Sequence, residues 1–166
     1  MERPFVDIGN DRRSRCHPFE VSVMHACAGP PAAGIPVPVG HQLTRVRLRC
    51  LLRSERLIVS SGTACLGVAA YQVVDSDVRV VHEFLVDPHL DQPDRAAVID
   101  ALLGAIEFTA RADGVRSMTI LLRPRLPLDR FCAHGYVALL ADAAGAWLQK
   151  KLKPSDWSTS CSLLVQ

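Results

Sequence analysis

The stretch at residues 81–115, VHEFLVDPHLDQPDRAAVIDALLGAIEFTARADGV, changes its hydrophobic period at Pro88. Before the proline, apolar residues stand on both faces of a strand, which is typical of a strand in the middle of a sheet. After it, apolar residues recur every three and four positions, which predicts an amphipathic helix over residues 94–112. These residues are Val98, Ile99, Leu102, Leu103, Ile106 and Ala110. Pro93 suits the start of the helix and Gly114 suits its end.

The segments on either side of this stretch define a fold class. A strand at 117–122 follows the helix, so strand, helix and strand form a βαβ unit with two parallel strands and a right-handed crossover. Upstream, short polar turns separate three strand-like runs, which predicts an antiparallel meander at 56–60, 64–74 and 78–86. The remaining predicted elements are a strand at 19–24, helices at 41–53 and 128–134, and a hairpin of 136–140 with 146–151.

The predicted fold is therefore α/β, with a mixed, mostly antiparallel, twisted sheet of six or seven strands, one βαβ unit and flanking helices. Its buried centre should come from the middle strands and from the inner face of the long helix. We expect it to contain Val81, Phe84, Leu85, Val86, Leu102, Ile106, Ile120 and Leu122.

Length and composition are those of an ordinary globular protein. The chain has 166 residues, of which 49% are hydrophobic and 22% charged, and its formal net charge is +2. This length fits one domain, which we place at 19–166 after a flexible, polar and basic arm at 1–18. No apolar run is long enough to span a membrane, and the first residues lack the apolar core of a secretory signal. We therefore expect a cytoplasmic protein without a membrane partner.

Two clusters of polar residues have alternative interpretations. The only metal-like group is Cys16, His17, His25 and Cys27, whose spacing matches no standard zinc site, so we predict no metal. The second cluster recurs at helical spacing and consists of Arg45, Arg49, Arg53 and Arg56. A solvated helix face or a phosphate contact explains it, and nucleic-acid binding through 12–15 and 45–56 is a third idea. With only 5% aromatic residues, the chain has little to stack on bases.

Three local features, in this order, resemble the GCN5-related N-acetyltransferases (GNAT). VHEFLVDP at 81–88 is similar to the fourth strand of that family, which often ends in Val-x-Pro. AAVIDALLGAIEFTARADGV at 96–115 is similar to the helix that follows, and DRFCAHGY at 129–136 to a late helix that ends in Gly-Phe or Gly-Tyr. The resemblance covers about residues 56–152 and implies a single GNAT-like domain with acetyl-CoA as co-substrate.

In this family the pyrophosphate of acetyl-CoA binds a glycine-rich loop at the start of the helix, where unpaired N–H groups favour anions. The equivalent segment here, HLDQPDRAAVID at 89–100, contains no glycine. The resemblance implies pantetheine amides paired with the backbone of Phe84, Leu85 and Val86, and a pyrophosphate at Gln92, Arg95, Ala96 and Ala97. Asp91 and Asp94 are alternative partners for the same N–H groups, since aspartate near a helix start is a common cap.

The resemblance also assigns chemical roles. It implies that Glu83 is the base that takes the proton of the attacking amine. The alternative is a structural Glu83 that is hydrogen-bonded to loop backbone or paired with an arginine of 45–56, while His82, on the opposite face, is a packed core residue. The late-helix tyrosine that protonates the leaving thiolate in the family is Phe131 here, which has no proton to give. Cys132, His134 and Tyr71 are the other donors in principle, and none is assigned.

Two functions follow as hypotheses. The first is an acyl-CoA-dependent N-acyltransferase that transfers an acetyl group to an amine-bearing small molecule or protein. The second is a catalytically silent GNAT-fold module for binding or regulation, in which acetyl-CoA binding is weakened. The missing glycines and Phe131 favour the second hypothesis. A homodimer is one expected assembly.

Overall fold

A computed structural model describes residues 19–24 and 36–153. Within them seven strands form one sheet in the order β1-β2-β3-β4-β5-β7-β6. The elements are β1 (Glu20–Met24), α1 (Arg45–Arg53), β2 (Glu55–Ser61), β3 (Ala64–Asp75), β4 (Val78–Val86), α2 (Gln92–Ala112), β5 (Ser117–Leu122), α3 (Leu128–Ala133), β6 (Val137–Asp142) and β7 (Gly145–Lys151). The predicted arm at 1–18 and the Cys16, His17, His25 and Cys27 group lie outside the described residues.

The strand pairing confirms the predicted sheet. β2, β3 and β4 form the antiparallel meander, and β4 pairs with β5 in parallel through the α2 crossover. β7 pairs antiparallel with both β5 and β6, so the final hairpin folds back onto β5. β4 therefore occupies the middle of the sheet, as its apolar residues on both faces predict.

The predicted centre of the protein is buried. None of the eight residues expected there is more than 3% exposed. Phe84 and Val86 pack with the inner face of α2, whereas Leu85 packs with Leu51 of α1 on the other face of the sheet. Both faces of β4 are thus covered, and this strand is fixed between two helices.

Three details differ from the sequence prediction. α1 begins at Arg45 instead of residue 41, because the Thr44 hydroxyl caps it by accepting from Arg47 N at 3.3 Å. α2 begins at Gln92, two residues earlier than predicted, with Asp91 as its cap. Arg56 is not part of a helical stripe, since α1 ends at Arg53 and Arg56 is buried in β2.

Within the described ranges, no group of three or more His, Cys, Asp or Glu side chains is placed to hold a metal ion. In the same ranges, no helix has both the length and the apolarity to cross a membrane.

His82 belongs to a hydrogen-bonded group on the α1 side of β4. Its Nε2 lies 2.6 Å from the Ser54 hydroxyl, which also accepts from Gln72 Nε2 at 3.2 Å. Ser54 Oγ in turn donates to Cys50 O at the end of α1, at 2.7 Å. The half-buried, bonded His82 agrees with the packed interpretation, and this group ties α1 to the sheet. Its predicted place on the face opposite Glu83 is wrong, because His82 is the extra residue of a β-bulge and both side chains contact α1.

We expect Leu102→Ala to lower the free energy of unfolding by about 2–5 kcal/mol, because truncating a fully buried leucine removes apolar contacts and leaves a cavity. Chemical denaturation of the purified protein measures this loss. Phe108→Ala on the same helix is the matched control, since Phe108 is 67% exposed. Equal losses in both variants would contradict the assignment of the inner face of α2.

The pH dependence of stability tests the environment of His82. Burial lowers its pKa from the ordinary value of 6.5, so below that pH the unfolded chain binds more protons than the folded protein. The His82 contribution to the free energy of unfolding should therefore fall as the pH drops through and below about 6.5. His82→Gln should show a shallower decline in urea titrations over this range. Parallel curves for the two proteins would argue against a neutral, desolvated imidazole.

Candidate functional site

A cleft opens where β4 and β5 separate. Their parallel pairing runs from Val78 and Ser117 to Val81 and Ile120 and then stops. On its other side β4 remains paired with β3 as far as Val86. The carboxyl-terminal part of β4, residues 82–86, thus has one edge directed away from β3 and toward a cavity of about 330 Å³. That cavity is lined by Gly40, His41, Arg47, Phe84, Leu85, Val86, Pro88, Arg95, Arg123, Pro124, Arg125 and Leu126.

Backbone groups of β4 point into this cleft. Asp87 N donates to Leu66 O at 2.9 Å, toward the β3 side. Because polar backbone groups alternate in direction along a strand, those of Leu85 also point to β3, whereas those of Phe84 and Val86 point to the cleft. The Val86 carbonyl accepts a hydrogen bond from His41 Nε2 at 2.8 Å. Of the three residues predicted to pair with pantetheine, Phe84 and Val86 have the required orientation and Leu85 contributes to the wall.

A second cavity of about 460 Å³ lies between the start of α2 and α3. It is lined by Gln92, Arg95, Ala96, Ile99, Arg125, Leu126, Pro127, Asp129 and Arg130. Arg95, Arg125 and Leu126 border both cavities, so the two adjoin. A ligand that extends along β4 can therefore continue past the first turn of α2 toward α3.

The start of α2 is capped by its own residues. The Asp91 carboxylate accepts from Asp94 N at 3.0 Å, and Asp91 O accepts from Arg95 N at 2.9 Å. Pro93, between them, has no N–H to offer. Ala96 and Ala97 fall in the second turn, where N–H groups bond to the preceding turn. This differs from the expected pyrophosphate loop, because a helix that begins at Gln92 leaves no loop at these alanines.

Arginine side chains line the groove instead. Arg95 is half-buried and donates through Nη2 to the Arg125 carbonyl at 2.8 Å, which holds the β5–α3 loop against α2. Arg125 adopts a φ of +81°, a left-handed conformation that is uncommon for a residue other than glycine. Arg130 forms two hydrogen bonds to Asp100, at 3.0 and 2.7 Å. Sequence reasoning missed Arg123, Arg125 and Arg130, although the basic run RPRLPLDR after β5 was a visible signal.

Glu83 is buried at 2% exposure and paired with arginine. Its Oε1 accepts from Arg47 Nε at 2.7 Å and its Oε2 from Arg47 Nη2 at 2.5 Å. Arg123 Nη2 lies 3.5 Å from Oε1. Both arginines line the β4 cavity, so they cover Glu83 on that side. This geometry is the one that the structural interpretation predicts, and a base role requires the Arg47 pair to open.

None of the candidate acids lines the two cavities. Phe131 is buried in edge-on contact with Phe84, with ring centroids 5.2 Å apart. Tyr71 lies opposite Val81, before the cleft begins, and burial raises its pKa to about 12, with the hydrogen bond that its hydroxyl donates to Glu55 as the next cause. Cys132 is exposed on α3, and His134 Nε2 is 3.0 Å from Asp100 Oδ1. None of these four side chains is thus placed to protonate a leaving thiolate.

Comparison with known proteins places this architecture. No protein-family model and no curated protein matches the sequence. Solved structures do match. A GNAT family acetyltransferase from Elizabethkingia anophelis with acetyl-CoA bound is 12% identical, with a TM-score of 0.57, over 80% of this chain and 98% of that one. Ard1 from Thermoplasma volcanium is 14% identical, with a TM-score of 0.54, over 69% of this chain and 84% of that one.

A third structural neighbour is N-acetylglutamate synthase from Neisseria gonorrhoeae, complexed with coenzyme A and N-acetyl-glutamate. It is 17% identical, with a TM-score of 0.54, over 81% of this chain, which spans 35% of that protein. At these identities the comparisons establish the fold and no individual residue role. The seven-stranded mixed sheet, its single βαβ unit and its flanking helices form the GNAT fold that the sequence resemblance predicts.

Proposed function

We propose that this protein is an acyl-CoA-dependent N-acyltransferase that transfers an acetyl group to an amine. The observation that carries the proposal is the open edge of β4, where Phe84 and Val86 direct backbone groups into a cavity. Pantetheine is an extended chain with two amides, so it can pair with that edge as a neighbouring strand would. Two structural neighbours are described with acetyl-CoA or coenzyme A bound, which supports a co-substrate of the coenzyme A type for this fold.

The phosphates of the cofactor would bind arginine side chains in place of a glycine loop. Asp91 occupies the helix start, so an anion gains little there. Arg95 and Arg125 border both cavities and would reach the pyrophosphate, while Arg130 borders the outer cavity toward α3. Guanidinium groups recognise phosphate by paired, charge-assisted hydrogen bonds, so arginine side chains can bind the phosphates in place of a glycine loop. Gln92 and Ala96 line the same outer cavity and would contact the cofactor by their side chains.

The chemistry would centre on Glu83. A neutral amine attacks the thioester carbonyl, a carbon–nitrogen bond forms, and the carbon–sulfur bond breaks with coenzyme A as the leaving group. Glu83 lies on β4 next to Phe84, and its carboxylate would take the proton that the amine loses. Arg47 holds both of its oxygens in the described state, so proton transfer requires Arg47 to move aside.

A silent binding or regulatory module is the second candidate, and two observations favour it. Asp91 caps the helix start where the family binds pyrophosphate, and Arg47 covers Glu83, the carboxylate assigned as base. Such a module would keep the open β4 edge without turnover. Affinity for acetyl-CoA and dependence of turnover on Glu83 separate the two candidates.

Calorimetric titration should show that acetyl-CoA binds with a Kd of about 10 μM to 1 mM, which is weak because the helix start contributes little. Arg95→Ala and Arg125→Ala should each weaken binding about tenfold, the loss of one or two charge-assisted hydrogen bonds. Arg116→Ala is the control, since this exposed arginine lies at the other end of β5. Acetyl-pantetheine, which lacks the nucleotide phosphates, should bind all four proteins equally.

Two results would contradict this assignment. Absence of heat and of a thermal shift at millimolar acetyl-CoA would reject the enzyme and leave the binding module. Undiminished affinity in both arginine variants would show that the phosphates bind elsewhere.

Glu83→Gln should lower turnover by about 10²–10⁴-fold with little change in the Kd for acetyl-CoA, because glutamine cannot take a proton. Release of free coenzyme A, followed with a thiol reagent, measures the rate. Thermal denaturation is measured in parallel, since the substitution also removes one charge of the Arg47 pair. Unchanged turnover would remove Glu83 from the mechanism, and a large loss of stability with turnover per folded molecule intact would make it structural.

A further inference from the structure

We infer that the acceptor is a small molecule with a carboxylate next to its amine, an amino-acid-like zwitterion, and that its carboxylate replaces Glu83 as the partner of Arg47 and Arg123. This inference rests on the proposed function. It is carried by the charges around the β4 cavity and by the pairing of Glu83 across the cavity wall.

The lining of the β4 cavity is rich in arginine. Its lining includes the side chains of Arg47, Arg95, Arg123 and Arg125, together with His41, and no Asp or Glu among the described residues. Glu83 compensates part of this charge from behind the wall, since it is 2% exposed. The cofactor phosphates of the proposed function would neutralise Arg95 and Arg125. Arg47 and Arg123 remain beside Glu83 and favour an acceptor with a negative group.

An acceptor amine can reach Glu83 only by displacing Arg47. An acceptor that carries only an ammonium group could displace Arg47 and pair with the Glu83 carboxylate. The Arg47 guanidinium would then have no ion-pair partner. Arg47, whose side chain is 28% exposed, would exchange a buried carboxylate for water and lose the ion pair. A zwitterion avoids this loss, since its ammonium pairs with Glu83 while its carboxylate pairs with the released arginine. The Glu83–Arg47 pair therefore has the complementary charges of an amino-acid head group.

Arg47 and Arg123 still have N–H groups that can donate hydrogen bonds to an incoming carboxylate. Arg123 Nη2 contacts Glu83 only at 3.5 Å, and Arg123 Nε is buried without a hydrogen-bond partner in the described part of the chain. Arg47 uses Nε and Nη2 for Glu83, which leaves Nη1 for a second group. The two guanidiniums can thus hold an acceptor carboxylate at the cavity wall with Glu83 directly behind it.

The reaction then balances without a further reagent. The bound ammonium gives one proton to Glu83, and the neutral amine attacks the acetyl carbonyl. As the tetrahedral intermediate collapses, the carbon–sulfur bond breaks and the second amine proton passes through water to the thiolate. The products are the N-acetyl amino acid and free coenzyme A, and Glu83 releases its proton to solvent when Arg47 returns.

The test compares matched acceptors that differ only in the carboxylate, such as lysine with cadaverine and tyrosine with tyramine. The rate of coenzyme A release should give a kcat/KM at least about tenfold higher for each amino acid than for its decarboxylated amine. A factor of this size is expected because a hydrogen bond to a charged group is lost with the carboxylate. Arg123→Ala and Arg47→Ala should each reduce this preference to about twofold or less. Arg49→Ala is the matched control on α1, because Arg49 is exposed and should keep the preference of the parent. Equal or better use of the decarboxylated amines would overturn the inference.

A binding measurement separates this inference from the proposed function. The same amino acids and amines are titrated into the protein without acetyl-CoA and detected by calorimetry. Binding of the amino acids that weakens about 10–100-fold in Arg123→Ala supports the carboxylate site even if no acetyl transfer is detected. Failure of acetyl-CoA to bind would reject only the proposed function. Two results would reject this inference alone. One is binding of acetyl-CoA without binding of amino acids, and the other is an amino-acid affinity that is unchanged in both Arg123→Ala and Arg47→Ala.

Discussion

The termination of the β4–β5 ladder at Val81 and Ile120 is the constraint on which the site depends. Beyond this pair, β5 is held by β7, as far as Leu122 opposite Ala146. Gly145 permits this contact, because a Cβ there would lie 2.3 Å from the Leu122 carbonyl oxygen. β4 is meanwhile held by β3, so the two parallel strands are drawn to different neighbours. In the resulting cleft the backbone groups that Phe84 and Val86 direct away from β3 have no β5 partner, and the Val86 carbonyl accepts from His41 instead. Buried backbone groups of this kind need a partner from a side chain, water or a ligand.

The electrostatics of the cleft follow from one buried carboxylate among several arginines. Glu83 is oriented by Arg47 and Arg123, which secure α1 and the β5–α3 loop to β4. The same contacts cover the carboxylate that the proposed chemistry uses. If the proposed acceptor site is right, acceptors that carry only positive charge would not open the pair, whereas a ligand that offers both partners a replacement would. Stability of the empty protein and selection of the acceptor would then depend on the same three side chains.

Local sequence patterns determined much of the fold. The bounds of β4 and β5 agree with prediction because their apolar alternation is limited by turn residues on both sides, and the inner face of α2 is set by its three-and-four spacing. The start of α2 was predicted two residues late because Asp91, not the first apolar residue, determines where the helix begins. Arg56 was grouped with the helical arginines by spacing alone, although the predicted helix ended correctly at residue 53 and Arg56 lies in the next strand.

The site was less predictable, for a physical reason. Glu83 could be identified from its position on a central strand, but its partner Arg47 is 36 residues away and depends on how α1 packs. Arg95 was predicted from the helix start, whereas Arg123, Arg125 and Arg130 reach the groove only because β5 and α3 place their loop beside α2. Long-range packing of this kind leaves no periodic signal in the sequence.

The central claim is that the open edge of β4 pairs with the pantetheine of acyl-CoA. Residue-resolved amide hydrogen exchange, measured by NMR with and without acetyl-CoA, tests it most directly. The account predicts that the Phe84 and Val86 amides gain protection with ligand, while Leu85, already bonded to β3, changes little. Unchanged exchange at Phe84 and Val86 under saturating acetyl-CoA would contradict it.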